Sequence, residues 1–363
     1  MLELTAREQL TALVYGDTFA LYDDASFDEF LQPFSLRFER NGISREVFAG
    51  KRCLDAGCGG GRGSIFMAES GAREVIGLDL SPRNVESSRK RAEQRGLGNC
   101  RFKQASLMEI PFKDENFDLV WCNGVLHHTA DPDAGLREIT RVLKLDGYLW
   151  MYLYGSGGIY WYLVEWIRDQ LRGVEVSECV AFLRLMDMPI RRIAEWIDDW
   201  FVPYLRRYTS SDVTQRLSEL GYADPSPLLH GTVYDTSERR VGATALEAAF
   251  MGEGDLRYFA RKTRRPAGND LALPDSSDGR GSSYEDGVAV TDFAQPLAEL
   301  AHVLESYKQR VGREIHAERI LVCRTVHSAA RGLLEQKTAF DPSVLRQELT
   351  GVIDIVGELL AST

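Results

Sequence analysis

Five glycines fall within the seven residues from Gly57 to Gly63, in the stretch LDAGCGGGRGS. A turn so stripped of side chains lets a ligand lie against bare backbone, where a Cβ would clash. Carboxylates flank it: Asp55 precedes the turn, and Asp79, 22 residues after Gly57, closes the next apolar run, VIGLDL. An acid at that second position accepts hydrogen bonds from ribose hydroxyls in nucleoside-binding folds of this shape. Proton chemistry has candidates further along. His127 and His128, in VLHHTADP, carry imidazoles suited to general base work near neutrality, with a positional or packing role as the alternative. Glu165 lies one helical turn after Trp161 and Tyr162 and beside Trp166. An acid among aromatics rises in pKa and can act as a base in a dry pocket. Its alternative is a surface pair with Arg168 at i,i+3.

These groups need a frame, and Lys51 to Gly155 supplies one. The apolar runs CLDAG, VIGLDL, FDLVWCN and YLWMYLYG alternate with helical stretches, the pattern of a mostly parallel sheet covered on both faces. Ser81-Pro82 and Asp131-Pro132 each place a capping side chain before a proline at the first helical position. Gly71 and Gly147 follow helical stretches and suit a stop. The fold class is therefore α/β, a Rossmann-like doubly wound sheet, with a helical insertion and a helical tail. The expected divisions are an N-terminal helical segment (1–50), a ligand-binding core (51–155), an aromatic-rich helical insertion (156–207) and the rest of the sheet (208–263). A helix is expected at SSDVTQRLSELGY and strands near PLLHGTVYD and DLRYFARK. A linker rich in Gly, Ser, Pro and Asp (264–286) and a C-terminal helical segment (287–363) complete the chain.

Triphosphates, dinucleotides and S-adenosylmethionine all favour glycine-rich strand-to-helix turns. No Lys follows these glycines, so the phosphate-cradling GxxxxGK[ST] loop is absent. The dinucleotide fingerprint also fails, because its third glycine would be Arg62, Ser64 or Phe66 from starts at Gly57, Gly59 or Gly61. Taken together, LDAGCGGG, VIGLDLSP, IPFKDENFDLVWCNGVLHH and REITRVLKLDGYLWMY resemble the class I S-adenosylmethionine-dependent methyltransferases, in the branch that modifies small molecules. The resemblance implies S-adenosylmethionine as cofactor. It implies that Gly57, Cys58 and Gly59 let backbone approach the methionine portion and ribose, and that Asp55 orients the loop or binds the amino group. It further implies that Asp79 holds the ribose hydroxyls, that Leu80 lies against adenine, and that Asn123 and Val125 line the site near the sulfonium. Where the family often has an acid facing the adenine amino group, this chain has Ser106, with the Leu107 N–H as a second contact.

The insertion is where an acceptor would sit. Its expected walls are Tyr160, Trp161, Tyr162, Trp196 and Trp200, with Arg191, Arg192, Arg206 and Arg207 nearby. Aromatic faces beside arginines suit an apolar or aromatic acceptor with an anionic group, or a prenyl diphosphate alkene; arginines at helical spacing also suit a solvated face. Net charge is −11, which repels a phosphate backbone, and CNGV lacks the NPPY-type motif that grips a flipped base. A small-molecule partner and no nucleic acid are expected. The six scattered cysteines argue for reduced thiols and against a zinc site. No apolar stretch is long enough for a membrane span, and MLELTAREQL has no signal-peptide pattern, so a cytoplasmic protein is expected. The tail's apolar faces suit packing on the catalytic domain or on a second copy in a homo-oligomer. Two other readings stand beside the methyltransferase: an NAD- or nucleotide-sugar-binding enzyme of similar topology, and an inactive methyltransferase-like interaction protein.

Overall fold

The computed structural model describes residues 4–186, 188–232 and 251–266. Seven strands among them form one sheet: β1 (Arg52–Ala56), β2 (Glu74–Asp79), β3 (Cys100–Gln104), β4 (Phe117–Asn123), β5 (Leu143–Tyr154), β6 (Tyr222–Ala223) and β7 (Asp255–Lys262). Their order is β3-β2-β1-β4-β5-β7-β6. The first five run parallel, and β7 lies antiparallel to both β5 and β6. The helices are α1 (Ala6–Ala20), α2 (Asp24–Arg40), α3 (Arg62–Glu69), α4 (Pro82–Gln94), α5 (Pro132–Val142), α6 (Ile159–Gln170), α7 (Val176–Leu185), α8 (Ile190–Phe201) and α9 (Ser210–Glu219). No described helix is long and apolar enough to cross a membrane.

Period-two alternation splits each central strand between two cores. Leu54, Ile76, Val120, Leu149 and Met151 join one apolar cluster, while Cys53, Val75, Leu119, Trp121 and Trp150 join the other, with Phe34, Phe38 and Phe66. Burying each large side chain contributes about 1.5–3 kcal/mol, so the sheet is anchored from both faces. The central strands accordingly end in register, and their carboxyl ends open onto one edge.

The two proline-led caps form as the sequence predicts. Ser81 accepts from Asn84 N, and Asp131 accepts from Asp133 N and Ala134 N. Gly71 follows α3 with φ +90°. Gly147 does not stop a helix: α5 runs straight into β5, and Gly147 lies inside that strand. A Cβ there would meet Asp118 O and Lys144 O at 2.9 Å, because β5 bulges where its register shifts between Phe117 and Leu119. The stretch PLLH is likewise not a strand. Pro227 makes only an isolated bridge to Tyr258, as a residue without an N–H cannot extend a ladder. β3, which the apolar pattern passes over, is an edge strand with mostly exposed, polar side chains.

The chain divides into two compact units. Within the expected insertion, α6 falls in the second unit, whereas α7 and α8 belong to the first, with the sheet. In the second unit Glu253 N donates to Ser156 O at 3.0 Å. Most of the expected linker, and all of the expected C-terminal helical segment, lie outside the described residues.

Candidate active site

The turn after β1 is stitched to the end of β2. Gly57 N and Cys58 N both donate to Leu78 O, at 2.9 and 2.8 Å, and Gly59 N donates to Asp79 Oδ2 at 2.8 Å. Gly57 and Gly59 have φ of +84° and +52°, the left-handed region that favours glycine. The turn thereby places a rim of bare backbone over the ends of β1 and β4.

Asp79 does more than wait for a ligand. Its Oδ1 accepts from Ser81 N at 2.8 Å and from Asn84 Nδ2 at 3.1 Å. A carboxylate offers roughly four lone-pair sites, so three are spent on the protein and about one is left for a ligand. Burial raises its pKa, against those same hydrogen bonds.

Asp55 is buried and accepts from Ser64 Oγ at 2.7 Å. Burial pushes its carboxyl up to about 7, with Ser64 working in the opposite direction. An unfolded aspartate titrates near about 3.9. The folded chain therefore holds this proton more tightly than the unfolded one. The associated stability is complete below the unfolded value and is lost as pH rises through the folded one. Thermal melts of the ligand-free protein should show the wild type losing ground to Asp55→Asn between about pH 4 and pH 7. Parallel curves would show that Asp55 ionises freely.

One cleft gathers these residues. Asp55, Gly57, Cys58, Gly59, Asp79 and Leu80 line it with Ser106, Leu107, Asn123, Val125 and His128. Asn123 is oriented by its Oδ1, which accepts from Trp150 Nε1 at 3.0 Å. Ser106 Oγ accepts from Met108 N at 3.2 Å. Sequence reasoning passed over the opposite wall, which α1 supplies through Glu8, Thr11, Ala12, Tyr15 and Phe19. The signal was present as an aromatic ladder at helical spacing, Tyr15, Phe19 and Tyr22.

The proton-transfer candidates are placed differently from one another. His127 is fully buried, stacks on Tyr154 with ring centroids 4.0 Å apart, and is held neutral by burial. His128 lines the cleft beside Tyr15, but its nitrogens face the protein: Nδ1 lies 2.8 Å from Tyr204 O and Nε2 lies 3.9 Å from Asp198 Oδ1. A backbone carbonyl there makes Nδ1 the protonated nitrogen. Asp198 also accepts from Tyr15 Oη, so the three groups brace one another. Glu165 pairs with Arg168 at 3.5 Å along α6.

The residues expected as acceptor walls are placed as follows. Trp196 and Trp200 stack on each other at 5.1 Å along α8 and are not among the cleft residues; α8 reaches the cleft wall through Asp198, on another face of the same helix. Tyr160 and Trp161 meet edge-on at 5.0 Å on α6, in the second unit, and the side chain of Tyr162 lies outside the described residues. Arg191 and Arg192 pair with Glu195, and Arg206 donates to Thr129 O and Ala130 O.

The methyltransferase domain family matches residues 54–151, the segment that builds the glycine turn, Asp79 and the end of β4. Residues 54–151 of this chain are thus similar to a methyltransferase domain. The uncharacterized methyltransferase YcgJ of Bacillus subtilis is 36% identical over 102 residues, 28% of this chain and 40% of that protein. Its crystal structure superposes with a TM-score of 0.38 at 23% identity, over 52% of this chain and 70% of that one. The 27-O-demethylrifamycin SV methyltransferase of Amycolatopsis mediterranei is 38% identical over 102 residues, 28% of this chain and 38% of its own. A ubiquinone biosynthesis O-methyltransferase of Cereibacter sphaeroides is 38% identical over 120 residues, 33% of this chain and 48% of its own. The chain thus spans about two fifths to one half of the relatives it matches.

S-adenosylmethionine is the cofactor of this domain family, and the cleft residues fit it. A buried carboxylate with a lone-pair site to spare suits ribose. Bare backbone runs along the turn, and Asp55, a second buried carboxyl, lines the same cleft.

Proposed function

We propose that this protein transfers a methyl group from S-adenosylmethionine to a small-molecule acceptor, at a carbon, oxygen or nitrogen atom. The observation that carries this reading is the single cleft in which Asp55, the glycine turn, Asp79 and the end of β4 converge. When bound, S-adenosylmethionine supplies a methyl carbon on a sulfonium, open to in-line displacement. Asp79 and the backbone of the turn would hold the nucleoside, and Asn123 and Val125, which line the same cleft, would border the reacting end. Tyr15 and Phe19 of α1 line the cleft with apolar ring surface, which would help align the attacking atom. His128 serves as a positioning residue: its ring forms wall beside Tyr15 while both nitrogens are turned to Tyr204 and Asp198.

The acceptor is apolar or aromatic on this reading. Phe34, Trp121, Tyr15 and Phe19 line the same cleft. Arg191, Arg192 and Arg206, which would grip a diphosphate, are committed to Glu195 and to backbone carbonyls, so a prenyl diphosphate is disfavoured.

Incubation of the purified protein with methyl-labelled S-adenosylmethionine and a cell extract tests the reading. Label is expected in a low-molecular-weight product that partitions into organic solvent. Label found only in protein or nucleic acid, or heat of binding from NAD but not from S-adenosylhomocysteine, would overturn it.

A further inference from the structure

Asn123 ends β4 and lines the cleft beside Gly124 and Val125. Its side-chain amide is not free to turn. Trp150 Nε1, on the neighbouring strand β5, lies 3.0 Å from Asn123 Oδ1. An indole nitrogen only donates, so the amide atom that faces it is the oxygen. Trp150 is itself fully buried and stacked on Trp121, with centroids 4.7 Å apart and planes 7° off parallel. The amide oxygen is therefore held on the Trp150 side, and Nδ2 with its hydrogens is the atom left for a ligand. Among the described residues nothing accepts from Nδ2.

A donor at this place sorts acceptor atoms by their chemistry. An amine hydrogen would need the amide oxygen, which Trp150 holds. A neutral amine also has a single lone pair, which the attack on the methyl carbon consumes. An oxygen anion has lone pairs to spare, so one can rest on Nδ2 while another attacks, and a hydrogen bond to a charged group is the stronger kind. The histidines agree with this. His128, which lines the same cleft, has Nδ1 on Tyr204 O and Nε2 turned to Asp198 Oδ1, and His127 is fully buried. An acceptor that ionises in water before it binds asks the site for a donor and not for a base.

We propose that Asn123, its amide fixed by Trp150, receives an anionic acceptor oxygen, so that the methyl group goes to oxygen and not to nitrogen or carbon. This rests on the methyltransferase reading above and narrows its acceptor to a phenolate or a carboxylate. One lone pair of that oxygen forms the O–CH3 bond while the S–CH3 bond breaks and its electron pair stays on sulfur. Anion and sulfonium neutralise each other, and no proton moves. Because charge disappears along the way, Nδ2 favours the bound anion at least as much as the transition state. Its effect therefore falls on acceptor binding. Asn123 is a specificity-determining residue, and Trp150 is the residue that positions it.

S-adenosylmethionine carrying an NMR-active methyl carbon, incubated with the full chain and a cell extract, reads the atom directly. The product should show an ether or ester methyl, and long-range coupling to an aromatic or a carbonyl carbon tells the two apart. An N-methyl or C-methyl resonance would overturn the proposal and leave the methyltransferase reading intact. No labelled product at all would remove that reading, and this proposal with it. Calorimetry then separates Asn123 from the cofactor. The acceptor recovered from the extract should bind the S-adenosylhomocysteine complex of Asn123→Ala about 30-fold more weakly than that of the wild type. Affinity for S-adenosylhomocysteine itself should stay within about threefold. A large fall there would assign Nδ2 to the cofactor, and an unchanged acceptor affinity would leave it no role; either result overturns the proposal. Asn123→Asp keeps the bond from Trp150 but sets a carboxylate against the anion. It should bind the acceptor more weakly than Asn123→Ala does, the reverse of what an isosteric change does in a purely structural role. Trp150→Phe should lose about 3–10-fold for the acceptor through the freed amide. Should that variant fail to fold, the two Asn123 variants decide alone.

Discussion

Asp79→Ala will lower the affinity for S-adenosylhomocysteine by about 100-fold. The carboxylate accepts from Gly59 N, Ser81 N and Asn84 Nδ2, so it ties the glycine turn to the start of α4 while keeping a site for ribose. On the proposed reading alanine removes the contact to ribose, a hydrogen bond to a charged group worth about 1.5–3 kcal/mol. It also strands the Gly59 N–H, and the turn that Gly57 N and Cys58 N anchor to Leu78 O loses its outer tether. Asp79→Asn should be nearly as damaging. An amide nitrogen placed against Ser81 N or Gly59 N sets a donor against a donor, so the isosteric change does not rescue the turn. Titration calorimetry decides the matter. Affinity within threefold of wild type for Asp79→Ala would mean that the nucleoside binds elsewhere.

That Asp79 could be singled out from spacing has a physical cause. In a doubly wound sheet the nucleoside lies across the carboxyl ends of adjacent parallel strands. β1, its turn and β2 occupy one short stretch of chain, so the residues that meet the cofactor are near one another in sequence as well as in space. The caps at Ser81 and Asp131 are legible for the same reason, since each is a bond across two or three residues. The far wall obeys no such rule. Tyr15 and Asp198 meet across 183 positions, and neither helix pattern says which face of α8 turns inward. Trp196 and Trp200 looked like a binding wall because aromatics at i,i+4 share a face, but in this structure they pack on one another. β3 was hidden by the lack of a buried face, and Gly147 by a bulge that only strand pairing reveals.

Gly63→Ala is expected to cost the fold about 2 kcal/mol net. A Cβ at residue 63 would lie 2.7 Å from Trp121 Nε1 and 2.9 Å from Asp55 Oδ2, closer than a side-chain carbon tolerates. Neither neighbour has room to retreat. Trp121 is fully buried, stacked on Trp150 with centroids 4.7 Å apart and planes 7° off parallel, and met edge-on by Phe34 at 5.1 Å. Asp55 is pinned by Ser64. Overpacking of this kind costs about 1–3 kcal/mol or more, and the better helix propensity of alanine returns about 1 kcal/mol. Relief comes by lifting α3 from β1 and β4, which moves Arg62 and pulls Ser64 from Asp55, so affinity for S-adenosylhomocysteine falls in the same variant. Gly98→Ala provides the comparison, because a Cβ there meets nothing within 4 Å and the backbone needs no positive φ. It should be neutral or slightly stabilising, by about 0.5 kcal/mol, through the entropy of the unfolded chain. Urea unfolding of the two variants separates these outcomes. Equal midpoints would mean that α3 does not sit against Trp121 as described, and the seat for the cofactor would have to be redrawn with it.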